Sequence, residues 1–159
     1  MTNNPGTAAS SPEPSADPSR LFSDHMARVE ALRPANKAAI LDALAAAGIT
    51  EVEVNFDGYG DSGQIEDMVA RAGDAEAALP AVAVQLSAPA WGCDHVEVRT
   101  KPLTDAIEQF VYDTLADLHP GWENSDGASG TFTFDVVAGT VTLDHGDRYI
   151  AVETTTHVF

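Results

Sequence analysis

Cysteine, lysine and aromatic residues are all scarce in this chain of 159 residues: one cysteine, two lysines (Lys37 and Lys101) and 7% aromatics. The lone Cys93 cannot form an internal disulfide, which removes the small disulfide-stapled class and makes a cytoplasmic setting the default expectation. Cys93 also has no CxxC partner and no convincing base beside it, so a catalytic thiol is not expected. No stretch comes near the roughly 20 apolar residues of a membrane span. The start, MTNNPGTAASSPEPSADPSR, lacks the basic-then-apolar order of a secretory leader and reads instead as a disordered tail over residues 1–20. Basic charge is the largest deficit. Eight Lys and Arg face 25 Asp and Glu, a formal charge of −17. Such a surface repels phosphates and anionic lipids, so neither direct nucleic-acid binding nor a membrane partner is expected.

What remains is 44% apolar, enough for one domain with a true core over residues 21–159. LFSDHMARVEALR (21–33) has helical spacing, and Pro34 is expected to end that helix, because the residue before a proline is pushed out of the helical region. ANKAAILDALAAAGI (35–49) reads as a second helix stopped by Gly48. TEVEVNFD (50–57) then alternates, with Val52, Val54 and Phe56 on one face and Glu51, Glu53, Asn55 and Asp57 on the other. QIEDMVAR is expected to return as a hairpin partner, with a helix starting at Ser62 as the alternative because Glu66 and Asp67 suit a first helical turn, and VAVQL and HVEVR read as short strands. PLTDAIEQFVYDTLADLH (102–119) is amphipathic and reads as a third helix with its cap at Thr104. At the end, TFTFDVV, VTLD and RYIAVETTTHVF read as three strands joined by AGT and HGD turns. The expected fold is therefore a single α+β domain. It has an antiparallel sheet of four to six strands, with about three helices mainly on one face. Strand order and oligomeric state are open.

Two Gly- and Asp-rich segments carry the functional question: FDGYGDSGQIED (56–67) and GWENSDGASG (121–130). GDSG (60–63) matches the nucleophile segment of chymotrypsin-like proteases in four residues, but Gln64 and Ile65 stand where glycine and proline should follow, and the chain is too short for two barrels. An EF-hand loop fits neither segment: counted from Trp122, positions one and twelve are Trp122 and Thr133, and counted from Asp57, position twelve is Met68. A composite site of oxygen ligands is a further reading, with Asp57, Asp61 and Glu66 approaching Glu123, Asp126, Asp144 and Asp147. Asp61, Glu123, Asp126 and Asp144 form its centre, suited to Mg²⁺, Mn²⁺ or Ca²⁺. The alternative is that each carboxylate shapes its own turn. His145 is either a base or ligand or a solvated turn residue. Trp122 is either an exposed contact residue or a plug for the end of the core, whereas Trp91 reads as ordinary packing.

Together the YGDSG and GWEN-x-DGA segments resemble an uncharacterised family of small acidic bacterial, plasmid and phage-borne proteins. The resemblance spans about Ile40–Phe159 and is carried by Tyr59, Gly60, Asp61, Ser62, Gly63, Trp122, Glu123, Asn124, Asp126, Gly127, Asp144 and Arg148. Such relatives have an asparagine in the last turn, where this chain has Gly146. The resemblance implies a shared fold, a shared polar surface and a mobile-element setting, and says nothing about a reaction.

The expectation for function is a non-enzymatic interaction protein that needs no cofactor and offers its acid to a basic protein partner, in one form by mimicking nucleic-acid charge. Its contact residues would be Tyr59, Asp61, Ser62, Trp122, Glu123, Asn124 and Asp126. The alternative is the divalent-metal site, structural or catalytic. In the blandest reading the charge serves only solubility, with adaptation to salt.

Overall fold

A computed structural model describes residues 17–159, so all but the last four residues of the expected tail lie outside the described residues. Helix α1 (Pro18–Ala46) begins inside that expected tail, where the Asp17 carboxylate accepts from the Ser19 N–H. It runs without a break through Pro34, which corrects the two-helix expectation. An interior proline removes one helical hydrogen bond and costs about 3 kcal/mol. Packing on both sides offsets that loss: Arg33 pairs with Asp117, the Asn36 amide bonds both backbone groups of Ser87, and Ile40, Leu41 and Leu44 enter the core. Local backbone preference lost to tertiary contact, and the helices among the described residues number two.

The sheet order is β3-β2-β1-β6-β7, antiparallel throughout. β1 (Glu51–Tyr59) is the middle strand, and β2 (Ser62–Ala72) returns beside it through the two-residue turn Gly60-Asp61. β3 (Ala75–Ala77) is short and has no sequence signal of its own. β6 (Ala128–Asp135) lies on the other side of β1, and β7 (Thr140–Asp147) forms the free edge. The hairpin of β4 (Ala83–Pro89) and β5 (Val96–Pro102) is a separate two-stranded sheet. Helix α2 (Leu103–Leu118) follows directly, its first N–H donating to Val82 O; no side chain caps it, so Thr104 does not have the expected role.

Alternation places the core. Val52, Val54, Phe56, Phe132 and Phe134 are buried on one sheet face, against Ile107, Phe110, Val111 and Leu115 of α2 and Ile40 and Leu44 of α1. Phe110 meets Phe134 edge-on at 5.7 Å.

The chain end departs from expectation. HGD is not a turn: β7 stays paired with β6 down to Ala128↔Asp147, and the Arg148 N–H prolongs the ladder to Gly127 O. RYIAVETTTHVF consequently forms no third strand, and Tyr149, Ile150, Val152, Val158 and Phe159 are exposed. Among the described residues no helix is long and apolar enough to cross a membrane.

Candidate functional site

The two Gly-Asp segments meet at one end of the five-stranded sheet, and glycine makes the meeting possible. Gly58 on β1 pairs with Gly63 on β2. The Trp122 ring lies across both. A Cβ on Gly58 would stand 2.8 Å from Trp122 Cε3, and one on Gly63 would be 2.8 Å from Cζ3 and nearer still to Cη2. Gly127, at φ 77°, comes so close that a Cβ there would overlap the carbonyl of Gly58. The Gly60 N–H closes the junction on Ser125 O at 3.2 Å.

Trp122 is 9% exposed, so it plugs the core rather than offering a contact surface. Its ring meets Phe56 edge-on at 5.5 Å and lies 6.5 Å from Tyr112, whose hydroxyl accepts from the Ile65 N–H. That N–H sits at a β-bulge, where Glu66 is the extra residue between the pairs Asn55↔Asp67 and Phe56↔Ile65. Of the remaining expected contact residues, Tyr59 is 73% exposed and Asp61, Ser62 and Asn124 are exposed; Glu123 and Asp126 are half-buried.

The metal reading has no geometry behind it. Among the described residues no three His, Cys, Asp or Glu side chains are grouped as a metal ion requires, so Asp61, Glu123, Asp126 and Asp144 do not form a ligand set. The cause is the sheet: Glu123 lies against Gly58 and Gly63 on the core side, whereas Asp144 pairs with Thr131 and points to the opposite face.

That opposite face is the larger polar surface. Reading across β2, β1, β6 and β7, one row holds Asp67, Asn55, Thr131 and Asp144, and the next holds Val69, Glu53, Thr133 and Thr142. A third holds Arg71, Glu51, Asp135 and Thr140. The Thr131 hydroxyl donates to Asn55 Oδ1, and Asn55 Nδ2 donates to Asp67 Oδ1, each at 2.6 Å, so the first row is held by its own hydrogen bonds. Seven carboxylates, of Glu51, Glu53, Asp57, Asp67, Glu76, Asp135 and Asp144, share this face with the cations Arg71 and Arg148. Arg148 Nη1 stands 2.7 Å from Asp57 Oδ1 while its N–H is aimed at Gly58 O, 3.0 Å away. It ties the loop junction to the acidic rows.

One arrangement had no readable signal. His145, expected in a turn, is a strand residue with a side chain only 5% exposed. It stacks on His119 at 3.6 Å with rings 5° from parallel, lies 5.8 Å from Phe56, and reaches Asp147 through Nε2 at 3.0 Å. Burial, and then the charge of His145, push the His119 pKa below the ordinary histidine value, with Asp147 opposing. Trp91 also departs from expectation: it is 60% exposed, not packed.

The fold and this junction define an α+β protein built on a five-stranded antiparallel sheet, with two helices on one face and acid on the other. The chain belongs to a family of unknown function, DUF6878, whose model matches residues 32–159 and so includes both Gly-Asp segments. No curated protein and no solved structure matches the chain.

Proposed function

We propose that the protein is a non-enzymatic interaction module whose acidic sheet face binds a basic protein partner. The observation that carries this reading is the set of carboxylate rows on the face opposite the helices, at the end of which Tyr59, Asp61, Ser62 and Asn124 are exposed. A flat ring beside acid suits a partner rich in arginine, which stacks on aromatic faces and pairs with carboxylates. Trp122, Glu123 and Asp126 support this surface from beneath and beside. The partner class that fits best is a nucleic-acid-binding protein, with the carboxylate rows standing where phosphates would lie.

The test is capture at low salt with the wild-type protein and with a Glu51→Lys/Glu53→Lys/Asp135→Lys variant. A partner held by this face is released as ionic strength rises, is lost with the variant, and is displaced by DNA. Equal capture by both proteins would refute the assignment of the face.

A further inference from the structure

Away from the sheet, α1, α2 and the β4–β5 hairpin enclose a cleft of about 380 Å³, within the size range of small-molecule sites. Its walls run from apolar to polar. At the rim the exposed Trp91 ring lies tilted against His25, with centroids 4.8 Å apart. Across the cleft Lys101 Nζ donates to Gln109 Oε1 at 3.3 Å, and Gln109 Nε2 donates to Asp113 Oδ1 at 2.7 Å. Arg99 lines the same space, with Glu97 3.3 Å away as its partner.

Three independent features mark this cleft. Cations are rare in the chain, eight against 25 acids, yet Arg99 and Lys101 both line it. His25 Nδ1 is buried beside it without a hydrogen-bond partner, a state that native polar atoms seldom keep. Trp91 leaves most of its ring open, although a large aromatic with a packing role would be covered. Glu97 and Asp113 line the cleft too, but Glu97 is paired with Arg99 and Asp113 Oδ1 accepts from Gln109, whereas Lys101 is held only by the neutral Gln109 amide, which leaves its charge open to a ligand.

We propose that the cleft binds a small aromatic anion, its ring against Trp91 and His25 and its acidic group on Lys101 and Arg99. The site is independent of the sheet face and of any protein partner. Stacking supplies the ring subsite, and a charge-assisted hydrogen bond supplies the preference for an acid over the same ring without one.

Three probes of one ring system test it on the full chain: indole-3-acetate, uncharged indole and cationic tryptamine, followed by NMR. Indole-3-acetate should bind saturably, shifting the Trp91 and His25 resonances and leaving Trp122 unmoved, with indole weaker and tryptamine weakest. Lys101→Gln should weaken indole-3-acetate about tenfold, as loss of one charge-assisted bond predicts, and leave indole nearly unchanged. Arg99→Gln should act in the same direction, and Trp91→Ala should weaken all three. Absence of saturable binding, tryptamine as the tightest probe, or affinities untouched in folded Lys101→Gln and Trp91→Ala proteins would each overturn the proposal.

Discussion

Replacing Gly63 by alanine adds one methyl group where the Trp122 ring already lies, with Cζ3 only 2.8 Å from the new carbon and Glu123 Cβ at 2.9 Å. Neither neighbour can yield freely, because Trp122 is held edge-on by Phe56 and flanked by Tyr112. Overpacking of this kind costs about 1–3 kcal/mol. Trp122→Leu, which leaves a smaller side chain in the same place, should cost a similar or somewhat larger amount through lost burial and a partial cavity. The informative quantity is the double variant. With the ring gone the two closest overlaps vanish and only Glu123 Cβ at 2.9 Å remains, and Gly63 is not at a positive φ, so the second substitution should cost clearly less than it does alone. The cycle should therefore show a coupling of about 1–3 kcal/mol between the two positions. Urea unfolding followed by circular dichroism measures it, provided the denaturant slope is the same in all four proteins. Additivity within about 0.5 kcal/mol would refute the idea that Gly63 is glycine because of Trp122.

The remaining predictions concern charge. The His119 pKa lies below its unfolded value of 6.5, so the unfolded chain takes up the proton first as pH falls. Its contribution is present above pH 6.5, declines as pH falls toward the lowered folded pKa, and is level below that. His119→Gln should flatten this part of a melting-temperature profile taken from about pH 8 to pH 5, and identical profiles for the two proteins would disprove it. Arg148→Met removes a half-exposed ion pair with Asp57 and a hydrogen bond to Gly58 O, and should cost only about 1 kcal/mol in urea unfolding. Amide exchange at the β6–β7 end should nevertheless quicken, and a loss of several kcal/mol would mean Arg148 does more than tie the junction.

Period was a dependable guide wherever one face is buried. The alternation of β1 and the 3.6-residue stripe of α2 were both readable, and the structure puts Val52, Val54, Phe56, Ile107 and Phe110 in the core as their spacing requires. Pro34 and Gly146 misled for a shared reason: each is a local breaker whose preference is small beside the contacts around it. Arg33, Asn36 and the core carry the helix through the first, and the β6 ladder carries the strand through the second. Trp122 could be read as plug or contact because its surroundings come from β1 and β2, far away in the chain. The cleft at Trp91 was illegible for the same reason, since α1, β4, β5 and α2 each supply only part of its wall.

The position of β1 has a consequence for how the chain is made. Its partner β2 is synthesised immediately after it, but Phe56 must wait for Gly130 before its other edge is paired. During that interval β1 carries an open edge and an apolar face whose helical cover, α2, is also still to come. Among the described residues α1 is the long helix already complete by then, and its Ile40, Leu41 and Leu44 are available to shield the hairpin. A chain paused between β2 and α2 would therefore expose both the open edge and the uncovered apolar face of β1, an arrangement open to aggregation.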